Sequence, residues 1–303
     1  MTYLIKQMKI YKYIIVLSFL SLWLNSYFPS KGLYILGLFM ILVFGIFHGA
    51  NDIVIINKSI KTLKNKSLIV LIGFYLTIVG IFAVFFSFLP DIALLTFVLL
   101  SAYHFGEQHW DRILKSTNYL MKFIFEFIYG CIIFGLIFMF HQNEVEEIVA
   151  AICNYSVSLN FLPYLLIVLG SMLLVIGFII YKSNRLFKSQ LSEQILYLLV
   201  LTIIFKVTNL IFSFAIYFVL WHSIPSLYDQ INFIYGDVTK KSILMYIKNA
   251  FLYWLISIVG LIVFYWLLKD TEIFEALLFS FIAAITFPHV LVINNMFKKN
   301  SKS

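Results

Sequence analysis

Charge is what this chain lacks. Only 12% of its 303 residues are charged, against roughly a quarter in an ordinary soluble domain; 62% are hydrophobic, and the mean hydropathy is +0.98. A water-soluble fold is excluded. Cysteine is scarce too: Cys131 and Cys153 are too few for a disulfide framework and lack metal-ligand spacing, so both read as unpaired packing residues. No stretch is long and polar enough for a soluble domain, and no internal repeat or low-complexity tract is present, so residues 1–303 read as one transmembrane domain. The net charge of +8 would suggest nucleic acid in a soluble protein. Here the lysines sit in short loops between apolar runs, where they act as topology signals, and no nucleic-acid partner is implied.

What the chain does have is apolar length. Windows of about twenty residues, enough to cross ~30 Å of hydrocarbon, pick out ten runs at 13–28, 33–56, 68–89, 92–110, 121–140, 162–181, 191–205, 209–234, 248–268 and 274–297. The expected fold is all-α, a polytopic integral membrane protein of about ten transmembrane helices. The first run follows Lys6, Lys9 and Lys12 as a signal peptide would, but no small-x-small cleavage site follows it, so it reads as a retained helix. The seventh run is short and close to the eighth, which leaves open a single broken helix there.

Loop charges test the count independently. Nineteen of the 22 basic residues fall in alternate segments: the N-terminus, the loop with Lys58, Lys61, Lys64 and Lys66, the loop with Arg112, Lys115 and Lys122, the loop with Lys182, Arg185 and Lys188, the loop with Lys240, Lys241 and Lys248, and the tail with Lys298, Lys299 and Lys302. The intervening loops hold only Lys31, Lys206 and Lys269, beside acidic residues such as Glu144, Asp270 and Glu272. Basic loops stay in the cytoplasm. Both termini are therefore expected to be cytoplasmic.

Ionisable groups inside membrane helices are costly, so each is a functional candidate. Of six histidines, His141 lies at an outer helix end and reads as solvated. His48, His104, His222 and His289 lie instead on the second, fourth, eighth and tenth runs, which all travel in the same direction. Counted to the next cytoplasmic charge at 1.5 Å per residue, they sit roughly 12 to 22 Å from the loops. Four imidazoles in one layer point to a shared metal. Asp52 and Glu107 follow His48 and His104 by four and three residues on the same helix face, where a carboxylate can take the ring N–H of that histidine or of a neighbouring one. Pro225 and Pro288 each remove a backbone donor within a helix, beside Ser226 and His289. Imidazole suits iron, copper, zinc or nickel, and the lack of a thiolate cluster argues against iron–sulfur and structural zinc sites.

At these four places the sequence resembles the Brp/Blh family of membrane-bound carotene dioxygenases. The matching strings are Gly45-Ile-Phe-His48-Gly49-Ala-Asn-Asp52, Ser101-Ala-Tyr-His104-Phe-Gly106-Glu107, Trp221-His222-Ser223 and Thr286-Phe-Pro288-His289. The resemblance implies an all-helical enzyme of the bacterial cytoplasmic membrane. It would use non-haem Fe(2+) and dioxygen to split membrane-dissolved β-carotene, or a related carotenoid, at its central double bond. Retinal would be the product, with hand-off to a rhodopsin as a further implication. His48, His104 and His222 match family iron ligands. Where the family commonly has a further histidine, four residues after His222, this chain has Ser226. His289 is the choice for the fourth ligand, from its depth and Pro-His motif, with His109 in reserve and a three-histidine iron also workable.

Two rival classes share part of this pattern. A haem-binding electron-transfer or oxidase subunit also uses paired intramembrane histidines, and a transporter can line a path with His and Asp. A retinal-binding protein would need a mid-membrane lysine, and Lys206 falls in a short outer loop.

Overall fold

The structure, a computed structural model, describes residues 2–59, 67–267 and 274–300. The loop lysines 61, 64 and 66, together with Lys269, Asp270, Glu272 and Lys302, lie outside the described residues, as do the side chains of Lys6, Lys9, Lys298 and Lys299. In hydrocarbon every backbone N–H and C=O must be satisfied within the segment, so apolar runs of this length become helices. In chain order these are α1 (Thr2–Tyr27), α2 (Ser30–Met40), α3 (Asp52–Ser59), α4 (Leu68–Phe88), α5 (Pro90–Trp110), α6 (Tyr119–Phe140) and α7 (Gln142–Cys153). Then follow α8 (Leu162–Ser183), α9 (Arg185–Val207), α10 (Leu210–Ala215), α11 (Ile224–Tyr235), α12 (Lys240–Leu267) and α13 (Phe274–Asn300). Among the described residues there is no strand.

Among the described residues, eight segments are long and apolar enough to cross a membrane: 30–59, 69–88, 119–140, 162–183, 185–207, 210–235, 240–263 and 274–297. The protein is a polytopic all-α membrane protein. The other two expected runs, 13–28 and 92–110, are helical within α1 and α5 but fall outside the eight. In α5 the cause is the polar set Tyr103, His104, Glu107, Gln108 and His109, which lowers the hydropathy of that end. The seventh and eighth runs are separate helices. The chain breaks at Thr208, and the Asn209 side chain accepts from the Phe212 N–H at 2.9 Å to start α10.

Two expected helices are not uniform. The run 33–56 is interrupted by a π-helical turn at Ile41–Gly45 and a 3-10 turn at Phe47–Gly49 before α3 begins. The run 209–234 passes through a π-helical segment, Ile216–Ser223, just before Pro225. Proline brings no N–H, so the turn before it must satisfy its carbonyls otherwise. Within the segment, Ser223 Oγ donates to the Phe218 carbonyl at 2.7 Å.

The chain forms two compact units. The first takes residues 1–41, 101–146 and 157–225, and the second takes 42–100, 147–156 and 226–303. In the first unit, α5 and α6 approach as closely as backbones can. A Cβ on Gly106 would land on the Glu126 carbonyl, and one on Gly130 on the Ala102 carbonyl. Trp221 donates its indole N–H to Ser18 Oγ at 3.0 Å, tying the π-helical segment to α1. In the second unit, Ile53, Ile55 and Ile56 of α3 pack with Leu71, Phe233, Val292, Ile293 and Met296. Lys58 Nζ donates to the carbonyls of Phe233 and Ile234, both at 2.9 Å, near the C-terminus of α11, where a cation complements the helix dipole.

Candidate metal centre

In the second unit, His48 sits in the 3-10 turn and is 5% exposed. Its Nδ1–H donates to the Gly45 carbonyl. The π-helical turn just before it makes that contact possible, because it ends on Gly45 and so displaces its carbonyl from the regular α ladder. His289, from α13, is also 5% exposed, and its Nδ1–H donates to Asp52 at 2.9 and 3.1 Å. Of the two partners open to Asp52 from the sequence, the neighbouring histidine is the one it takes. Tyr75 of α4 donates its hydroxyl to the same carboxylate at 3.1 Å. The two rings meet edge to face with centroids 4.7 Å apart, and a ring nitrogen of each lies within 4.8 Å of the other.

A neutral imidazole that donates through Nδ1 carries its lone pair on Nε2. Both histidines of this unit are thus held in the tautomer whose Nε2 can bind a metal.

In the first unit, His104 of α5 is fully buried and His222, in the π-helical segment, is 2% exposed. Their ring centroids are 4.8 Å apart at 74°. Aromatic faces enclose His222: Phe105 at 4.3 Å and Phe218, nearly parallel to it, at 5.9 Å. Glu107, buried beside this pair in sequence, accepts from the Tyr103 hydroxyl at 2.9 Å. His109 turns elsewhere: its Nε2–H donates to Gln194 Oε1 at 2.5 Å, and its ring stacks on Tyr129.

Ser226, at the position where a further histidine was looked for, is fully buried in the second unit and accepts from Gln230 Nε2 at 3.1 Å. Gln230 Oε1 in turn accepts from the Tyr246 hydroxyl at 2.7 Å, which lies 3.3 Å from the His48 carbonyl. A polar chain thus runs from Ser226 to the backbone at His48.

One expectation is corrected. His141 is not a solvated helix end: it is 7% exposed, and its ring bridges the carbonyls of Ile137 and Thr208, each at 2.8 Å. The chain break at Thr208 leaves a carbonyl without its helical donor, and His141 meets it there. Sequence reasoning also missed Tyr75 and Glu126. Glu126 is 1% exposed, on the helix face pressed against Gly106, with Lys122 3.8 Å away. Nothing local marks Tyr75, and only the spacing of Lys122 to Glu126 hinted at the other.

A family model described as beta-carotene 15,15'-dioxygenase matches residues 39–297. No curated protein and no solved structure matches the chain. The matched region takes in all four histidine motifs and most of the sequence, as the resemblance implied: this protein belongs to the beta-carotene 15,15'-dioxygenase family.

Proposed function

We propose that the protein cleaves β-carotene at its central double bond to retinal, using dioxygen and one Fe(2+) held by His48, His104, His222 and His289. The observation that carries this reading is the Asp52–His289 pair with His48 beside it: two buried imidazoles fixed with Nε2 as the lone-pair nitrogen, in a chain of this family. The donor set fits iron. All-imidazole nitrogen suits a redox-active first-row ion, and four ligands leave coordination positions for a small molecule. Iron bound there would supply the redox activation of dioxygen that a polyene cannot accomplish alone.

The remaining work falls to the chain. Asp52 and the Gly45 carbonyl hold the Nδ1 protons of His289 and His48 and keep both rings aimed. Phe105 and Phe218 wall off His222 from water and give an apolar face against which a flat polyene can lie. Placement within a membrane suits a substrate that dissolves in the bilayer and a product, retinal, that leaves into it toward a retinal-binding rhodopsin. The reading places the site in a bacterial cytoplasmic membrane, and the loop lysines support an orientation with both termini inside.

Carotene-accumulating bacterial cells expressing the chain should lose orange colour and gain retinal. Replacing His48, His104, His222 or His289 by Ala should reduce product by about 100-fold or more. Purified, iron-loaded protein that leaves β-carotene intact would overturn the reading. Reporter fusions after residue 65 and after residue 145 should fall on opposite sides of the membrane; the same side for both would refute the topology.

A further inference from the structure

The second unit contains a cavity of about 470 Å³. It lies among Ala83 and Phe86 of α4, Gly260 of α12, and Phe281, Ala284 and Ile285 of α13. That volume is in the range of small-molecule pockets, ~300 to 1,000 Å³. Its walls exclude most occupants. Among the described residues none that lines it is titratable, and Ser87, one of two hydroxyls present, turns its Oγ back onto the Ala83 carbonyl at 2.9 Å. A fatty-acid carboxylate or a phospholipid head would be desolvated there with no countercharge. An uncharged hydrocarbon would lose nothing.

The cavity has a direction. Leu277, Phe281 and Ile285 line it and recur every four residues on α13, and the next position in that series is His289. From Leu277 to His289 is twelve residues, about 18 Å along the helix. An elongated occupant lying along this stripe ends at the imidazole. The width is set by small residues: a Cβ on Gly260 would stand 3.9 Å from Phe281 Cε2, so any longer side chain there grows into the space. Phe82 stacks on Phe287 with centroids 3.6 Å apart, pinning α4 to α13 one ring pair short of His289.

We propose that this cavity holds one ring end of the carotenoid, so that the polyene runs along α13 and brings its central double bond to His289. The proposal rests on the cleavage reading above and adds to it a measuring device: the distance from end pocket to imidazole selects which double bond is presented.

Binding is measured anaerobically, so that bound substrate is not consumed, from the pigment retained by purified full-length protein. Gly260→Leu and Ala284→Leu fill the cavity, and each should weaken β-carotene binding at least tenfold. Binding of an apocarotenal, which carries a single ring end, should change less than twofold, because its ring can lie on the other side. Phe86→Ala, which only removes atoms, should weaken β-carotene about fivefold and guards against a filled variant that fails to fold. Unchanged β-carotene binding in all three variants overturns the proposal and leaves the cleavage reading standing. Equal losses for both ligands in variants of wild-type thermal stability overturn it as well. Wild-type protein that binds β-carotene in this pattern yet never releases retinal in air sinks the cleavage reading while the end pocket stands.

Discussion

In the second unit each histidine ring is aimed by a defined acceptor, the Gly45 carbonyl for His48 and the Asp52 carboxylate for His289. In the first unit, His104 and His222 meet edge to face, and the contacts around His222 are the flat faces of Phe105 and Phe218. A hydrogen bond at Nδ1 dictates which nitrogen carries the proton, whereas an aromatic face dictates where the ring may lie. The two pairs thus contribute different things. The acceptors at His48 and His289 bear on proton placement, and the rings beside His222 bear on shape and dryness.

The largest expected effect comes from the backbone contact that positions the first pair. Gly130→Val adds three carbons, the first of which would land on the Ala102 carbonyl, and should cost about 3 kcal/mol or more, enough to lose folded protein from the membrane. Gly170→Ala meets nothing within 4 Å and should leave thermal stability in detergent unchanged to within about 0.5 kcal/mol. Equal behaviour of the two would break the claim that α5 and α6 are in backbone contact.

The next effect separates the pairs directly. Asp52→Asn should lower iron affinity, measured by competition with a chelator, by roughly 10- to 100-fold without loss of the fold. Phe105→Leu in the first unit should leave iron affinity within about threefold and instead alter carotenoid binding. If Phe105→Leu strips the metal and Asp52→Asn does not, the division of labour is reversed. The smallest effect belongs to Tyr75→Phe, which takes one hydrogen bond from Asp52 and leaves the carboxylate on His289. Iron affinity should fall roughly two- to fivefold; a loss as large as that of Asp52→Asn would make Tyr75 the true anchor.

How much of this could be read in advance differs between the levels of structure. Helices were legible because a membrane leaves the backbone no other choice, and the four histidine motifs were legible because ionisable residues stand out against apolar sequence. The turns that aim them were not. Gly45 and Gly49 are compatible with a straight helix, whereas the folded chain has π and 3-10 turns there, the 3-10 turn packed against α12 and α13. Tyr75 could not be found because its partner is 23 residues away on a helix whose rotation the sequence leaves free. His141 misled for the opposite reason: its neighbours Gln142, Asn143 and Glu144 are polar, yet its own ring faces a carbonyl released at a distant break in the chain.

The π-helical segment that carries His222 has a consequence for the length of the chain. A turn of this kind bonds residues five apart and so carries one residue more than the α-turn it replaces. Deleting one residue between Ile216 and Ser223 would let the segment rewind as ordinary α-helix with its backbone bonds intact. The helices on either side would keep nearly their present phase, and the side chains inside the segment would be the ones to change places. The Trp221 indole would swing off Ser18, and the His222 imidazole off His104. A deletion here is therefore felt locally, by the side chains the segment carries. The helix would survive the edit, the membrane would accept it, and the alignment of the side chains would be the only thing lost.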